Sequence, residues 1–292
     1  MILLQATIDE SRADALEAFC CEAPSPWWLV RPDPADDLRL HGAFPDRESA
    51  RAAWEELRST FPELPAEPDA LAEQPDEDWM LAYRHHLRPW QSGPLRWIPE
   101  WERAEHFIQP YQRAVYLDSG LAFGTGSHET TRLCARSLVR FARERGDRPF
   151  SVIDAGCGSG ILALSAAVLG ARPVRAFDSD PEAIRVSREN AAANGREGTI
   201  EWFEAGMEEG LAGPPADLVL ANIQADVLRL YADELLGAVA PGGRLVLSGI
   251  LAAEGPALRD FFAERAAPAG FVPAAPRLLA DGAWVALALD RA

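Results

Sequence analysis

Residues 151–171 read SVIDAGCGSGILALSAAVLGA, and this stretch decides the fold. An apolar run of strand length leads into the glycine string Gly156-Cys157-Gly158-Ser159-Gly160, and an apolar helical segment follows directly. Glycines let the backbone turn tightly and approach a ligand closely, and the helix start behind them presents unpaired N–H groups. Asp178 ends the next predicted strand, about 20 residues on, where a carboxylate can bind both hydroxyls of a ribose. The spacing is G-x-G-x-G, not the G-x-G-x-x-G of a dinucleotide site, and Asp154 stands two residues before the first glycine. A carboxylate beside the loop repels a pyrophosphate and suits a ligand carrying a sulfonium or ammonium group. The pattern therefore favours S-adenosylmethionine over a nicotinamide dinucleotide. A tight strand–helix turn without any ligand has the same local pattern.

Outward from this turn, strands and helices alternate. PVRAFDSD (173–180) is a predicted strand, and PEAIRVSRENAAANG (181–195) is a helix with Pro at its first turn and Gly at its end. TIEWFEA (199–205), ADLVLANI (216–223) and GRLVLSGIL (243–251) are strands. VLRLYADELLGAVA (227–240) is a helix stopped by Pro241-Gly242-Gly243. The tail FVPAAPRLLADGAWVALALD offers two last strands around an Asp-Gly turn. Alternating units of this kind predict an α/β domain over residues 116–292, doubly wound on a mainly parallel sheet.

Two further clusters carry chemistry. LDSGLAFGTGSHETT (117–131) holds three glycines and five hydroxyl side chains and leads into a helix running from about Thr130 to Arg145. Such a loop can lie over a bound cofactor, its hydroxyls and amides meeting a carboxylate. Singly, His128 reads as structural, and Thr130 or Thr131 as a helix cap. Asn222, in Ala221-Asn222-Ile223-Gln224, closes the fourth predicted strand, and ligands in open α/β sheets bind at the carboxyl ends of strands. Its amide can accept and donate, enough to orient an incoming amine or to hold a cofactor, and a plain turn Asn fits equally.

The first quarter of the chain differs. Residues 2–8 and 26–30 read as strands, 11–22 as an amphipathic helix, 38–44 as a strand, and 46–60 as a helix capped by Asp46, with a last strand near 66–72. The order predicts a small α+β, ferredoxin-like domain over residues 1–75. The net charge is −17, and residues 1–75 alone hold sixteen acids against six Arg. An acidic surface repels nucleic-acid phosphate and attracts basic partners, although solubility alone would also account for it. Residues 76–115 read as a linker and Trp-rich connector. All 28 basic residues are Arg, so the chain cannot serve as its own lysine substrate.

Other classes fall away. No stretch approaches the roughly 18 apolar residues of a membrane helix. The N-terminus lacks the basic region of a secretory signal, so a cytoplasmic location is expected. The four cysteines form no CxxC pair, so neither a metal site nor a disulfide framework is expected, and Cys20 and Cys21 read as buried small apolar residues.

Read together, LDSGLAFGTGSHETT, VIDAGCGSGILAL, AFDSDPEAI with SRENAAANG, and LVLANI followed by PGGRLVLSGIL resemble, in order and spacing, the ribosomal protein L11 methyltransferases. DEDWMLAYRHHLRPW and LRWIPEWE resemble that family's connector, so the likeness covers roughly residues 76–252. It implies a class I methyltransferase sheet and S-adenosylmethionine as cofactor. It also implies methylation of lysine ε-amines and the N-terminal α-amine of ribosomal protein L11, by a monomer whose N-terminal domain recognises the substrate. Carried over by position, Thr131, Gly156, Asp178 and Asn222 fall on cofactor-binding positions, with Gly158 on the same glycine loop. The loop has Ser127-His128-Glu129 where the family more often has Thr-His-Pro. Alternatives left open are a lysine on another protein, such as an electron-transfer flavoprotein, a small-molecule acceptor, or a nucleotide-binding module without catalysis.

Overall fold

The structure, a computed structural model, describes residues 2–9, 12–20, 26–30, 37–73, 87–118, 128–272 and 276–292. Most of the DEDWMLAYRHHLRPW stretch, most of the glycine- and hydroxyl-rich 117–131 loop, and Cys21 lie outside the described residues. The chain divides into two compact units, Met1–Ala82 and Tyr83–Ala292.

In the smaller unit, β1 (Ile2–Ile8), α1 (Ala13–Cys20), β2 (Trp27–Val30), β3 (Leu38–Phe44), α2 (Arg47–Thr60) and β4 (Ala70–Glu73) follow the predicted order. The strands form one antiparallel sheet ordered β2-β3-β1-β4, the ferredoxin-like arrangement. Alternate β1 residues Ile2, Leu4, Ala6 and Ile8 join Ala50, Trp54 and Leu57 of α2 in one core. Asp46 caps α2, its carboxylate accepting the Ser49 N–H at 2.8 Å. β4 begins later than expected, because Pro65 and Pro68 lack the N–H that a ladder needs. Cys20 is only partly buried, against the expectation, because it packs at the margin of this core and not within it.

In the larger unit, β5 (Trp90–Ser92), β6 (Leu95–Pro99) and β7 (Arg113–Leu117) form a three-stranded sheet that begins within the 76–115 stretch read as connector and ends two residues beyond it. Trp90 and Trp97 stack at 3.8 Å, and the Trp97 indole donates to the buried Ser165 hydroxyl at 2.8 Å. These tryptophans therefore serve packing.

The main sheet follows. In chain order come α3 (Glu129–Arg145), β8 (Val152–Ala155), α4 (Ile161–Val168), β9 (Val174–Asp178), α5 (Pro181–Ala193) and β10 (Glu201–Glu204). After them come α6 (Met207–Leu211), β11 (Ala216–Asn222), α7 (Ala225–Leu230), α8 (Ala232–Gly237), β12 (Val239–Leu251), α9 (Gly255–Ala266), β13 (Arg277–Asp281) and β14 (Trp284–Asp290). The seven strands lie in the order β10-β9-β8-β11-β12-β14-β13. The first five are parallel, and β14 runs antiparallel to both neighbours, so the sheet is doubly wound and mainly parallel as predicted. Every residue of β8 and α4 is buried, which explains why both read as unbroken apolar runs. The single helix expected over 227–240 is instead α7 and α8, interrupted at Tyr231, whose N–H closes onto the Val227 carbonyl at 3.1 Å. Among the described residues no helix is long and apolar enough to cross a membrane.

Candidate cofactor site

Register sets the site. Ala155 of β8 pairs with Phe177 of β9 and with Ala221 of β11. The next residue on each strand is Gly156, Asp178 or Asn222, so these three fall in one row across the carboxyl edge of the sheet. Strand order reverses at β8, with β9 on one side and β11 on the other, and crevices of open α/β sheets form at such a switch point. Neighbouring strands are about 4.8 Å apart, so Asp178 and Asn222 stand roughly 10 Å from each other along the row.

The glycine loop is shaped by close approach. Gly156 has φ +70°, and a Cβ there would come within 2.6 Å of the Ile223 side chain. Gly160, at φ +77°, would meet Trp202 at 2.7 Å. Phe177 O accepts the N–H groups of both Gly156 and Cys157 at 2.9 Å. Gly158 is spent within the protein: its N–H donates to Asp178 Oδ2 at 2.9 Å, and its carbonyl accepts the Ser187 hydroxyl at 2.7 Å. The other Asp178 oxygen accepts the Asp180 N–H at 3.0 Å. Two backbone donors thus orient the Asp178 carboxylate, and each of its oxygens keeps a further lone pair for a ligand hydroxyl.

Asp154 is not at the loop mouth. It is 1% exposed and accepts the Ala163 N–H, in the first turn of α4, at 2.9 Å. A carboxylate there compensates the positive helix end. Burial pushes its pKa up to about 7, against the hydrogen bond from Ala163, which lowers it, with the nearby Asp178 charge adding to the rise. The predicted bias against a pyrophosphate thus has a different basis: Asp154 already occupies a helix N–H that such a group would use.

Thr131 and Asn222 lie 91 positions apart and meet here, the Asn222 amide nitrogen standing 3.3 Å from the Thr131 hydroxyl. Thr131 is fully buried on α3. Asn222 Oδ1 is buried and finds no hydrogen-bond partner among the described residues. His128, expected to be structural, is the N-cap of α3: its Nδ1 accepts the Thr130 N–H at 3.3 Å and lies 2.7 Å from the Thr130 hydroxyl. The ring packs edge-on against Trp284. All five predicted residues therefore sit at or beside the carboxyl edge.

Sequence reasoning missed the face of α5 that carries Ser187 and Asn190 and continues to its C-cap, Asn194. Ser187 holds the Gly158 carbonyl, Asn190 holds the Ser159 carbonyl at 2.9 Å, and Asn194 brackets both backbone groups of Tyr116. Their spacing of three and four residues puts them on one helix face, and that was the available signal.

Comparison with known proteins gives the chain a family. Residues 28–291 match the family model described as ribosomal protein L11 methyltransferase. A protein of that name from Pelotomaculum thermopropionicum is 38% identical over 233 residues, covering 78% of this chain and 73% of its own length. One from Bacillus cytotoxicus is 33% identical, covering 76% and 72%. A solved structure of ribosomal protein L11 methylase from Lactobacillus delbrueckii subsp. bulgaricus is 32% identical with a TM-score of 0.58, covering 68% of this chain and 96% of that one. The chain belongs to the ribosomal protein L11 methyltransferase family.

Proposed function

We propose that Asp178, Gly156, Gly158, Thr131 and Asn222 form the S-adenosylmethionine site of this ribosomal protein L11 methyltransferase, and that residues 1–75 receive the protein substrate. The residues suit that cofactor. Asp178 offers an oriented carboxylate to two ribose hydroxyls, and the glycine loop packs too closely on Ile223 and Trp202 for any side chain at Gly156 or Gly160. Asn222 holds a buried acceptor that no donor among the described residues satisfies. Gly158 contributes by aiming Asp178, since both its backbone groups are engaged within the protein.

When bound, S-adenosylmethionine supplies an electrophilic methyl group on a sulfonium. The protein then has to present a neutral amine, because an ammonium has no lone pair with which to attack. Asn222 Oδ1 accepts an N–H of that amine and turns its lone pair inward, while Thr131 fixes the Asn222 amide. Asp154 is committed to the start of α4, so it is not placed to act as the base. Loss of the amine's proton is left to desolvation and to water. The acceptors are lysine ε-amines and the N-terminal α-amine of L11, modified in the cytoplasm. A chain of net charge −17 reads the basic protein and not nucleic acid.

The meeting of Thr131 with Asn222, whose carbonyl oxygen has no partner among the described residues, carries this reading. Its test is methyl transfer from labelled S-adenosylmethionine to unmethylated L11 by wild type and by Asn222→Ala at saturating cofactor. Wild type labels L11, and the variant's kcat falls at least about tenfold, the cost of one orienting hydrogen bond. Near wild-type turnover would overturn the role of Asn222. Absence of label with the wild type would overturn the substrate.

A further inference from the structure

We infer that Asn190 is a positioning residue for the cofactor: it ties the glycine loop to the chain leaving β7, so that each holds the other in place. The inference rests on the cofactor site proposed above. Asn190 lies on α5, is 3% exposed, and uses both ends of its amide. Its Nδ2 donates to the Ser159 carbonyl at 2.9 Å, and its Oδ1 accepts the Asp118 N–H at 3.0 Å. A carbonyl on one side and an N–H on the other admit only this orientation of the amide, so the tie has a direction. Ser159 belongs to the glycine loop. Asp118 directly follows β7, ahead of the stretch that leads to Thr131 on α3. One side chain therefore joins two parts of the chain that the site needs together.

Asn194, a turn further on, provides an internal contrast. It accepts the Tyr116 N–H at 2.9 Å and donates to the Tyr116 carbonyl at 2.6 Å, fixing strand β7. None of its bonds reaches the glycine loop. Both residues are amides with partners on backbone, on the same helix face, yet one reaches cofactor-bearing chain and the other only scaffold. Loss of Asn194 should therefore cost stability, and loss of Asn190 should also cost cofactor affinity.

The experiment compares Asn190→Ala, Asn190→Asp and Asn194→Ala in the full chain. It reads S-adenosylhomocysteine binding by calorimetry, thermal midpoint, and separate KM values for S-adenosylmethionine and L11. Asn190→Asp keeps the size of the side chain and the acceptor facing Asp118, and replaces the donor facing Ser159 with a carboxylate oxygen that repels its carbonyl. Both Asn190 variants should bind S-adenosylhomocysteine about tenfold more weakly, with a matching rise in KM for S-adenosylmethionine and KM for L11 within about twofold. Asn194→Ala should lose thermal midpoint yet bind within about twofold of wild type. Unchanged binding in Asn190→Asp overturns the inference, as does equal weakening in Asn194→Ala. Asp178→Ala is the reference. If it too binds normally, the cofactor site itself is misplaced, a failure separate from that of Asn190.

Discussion

Residues 1–75 carry sixteen acids against six Arg, and the ion pairs described there each leave a carboxylate in solvent: Arg12–Glu63, Arg47–Glu73 and Arg58–Glu55, at 3.2–3.8 Å. Exposed pairs of that kind contribute about 0–1 kcal/mol each. In the larger unit, several acids organise backbone instead. Asp154 holds the start of α4, and Asp178 holds the glycine loop. Asp217 accepts both the N–H and the hydroxyl of Ser151 while pairing with Arg145. An acid that fixes backbone cannot be removed without disturbing the site. On the function proposed above, the net negative charge of the smaller unit acts at a distance, on a basic partner. Acids hold backbone in the smaller unit too, Asp46 at the start of α2 and Asp69 on the Thr7 N–H, so the two units differ in how much acid is left over and not in whether acids build structure.

The largest expected effect follows from removing residues 1–82. Each unit has its own core, so the remaining chain should fold and bind S-adenosylhomocysteine within about twofold of full length. Methylation of L11, measured as kcat/KM, should fall about a hundredfold or more, the scale on which losing a tethered second binding surface acts. Retained methylation would break the comparison. Next, Asp178→Ala should weaken S-adenosylhomocysteine about fiftyfold by calorimetry, because it removes charged acceptors and releases Gly158.

Raising the salt from 50 to 300 mM should increase KM for L11 several-fold while cofactor binding stays nearly constant. A flat KM would leave the acids of the smaller unit to solubility alone. The smallest effect concerns Asp154. Its folded carboxyl titrates near 7, and an unfolded Asp titrates near about 3.9. Between those values the folded state keeps a proton that the unfolded state has released, so this group's contribution to stability declines as pH rises from about 4 to 7. Denaturation across that window should show a slope of at most about 1.4 kcal/mol per pH unit from this group, absent in Asp154→Asn. An unchanged slope in the variant would assign the pH dependence to other groups.

Much of this was legible in the sequence, and the limits have physical causes. The βαββαβ order of the smaller unit follows from period-two and helical patterning plus the Asp46 cap, all local signals. The row of Gly156, Asp178 and Asn222 follows from three strand ends in a doubly wound order. The conversation between Thr131 and Asn222 does not, because 91 residues of chain separate them and only the likeness to a family joined them beforehand. Asp154 was read as a charge facing a ligand, whereas it turned inward to a helix N–H. Sequence shows that a carboxylate is near a loop and not which way its side chain points. Asn190 and Asn194 look like ordinary polar residues of an amphipathic helix until their partners, 72 and 78 residues away, are in view.

The alignment of Ala155 with Phe177 and Ala221 gives the molecule an uneven tolerance for changes of length. One residue inserted within β8, β9 or β11 would shift that strand's end out of the shared row and exchange its inward and outward faces, because side chains alternate with a period of two. Each of Asp178, Gly156 and Asn222 is thus addressed by a count along its own strand. Insertions in the turns at the opposite, amino edge of the sheet leave those counts untouched. Family members should therefore differ in length at the amino-edge turns and keep these three strands to the residue.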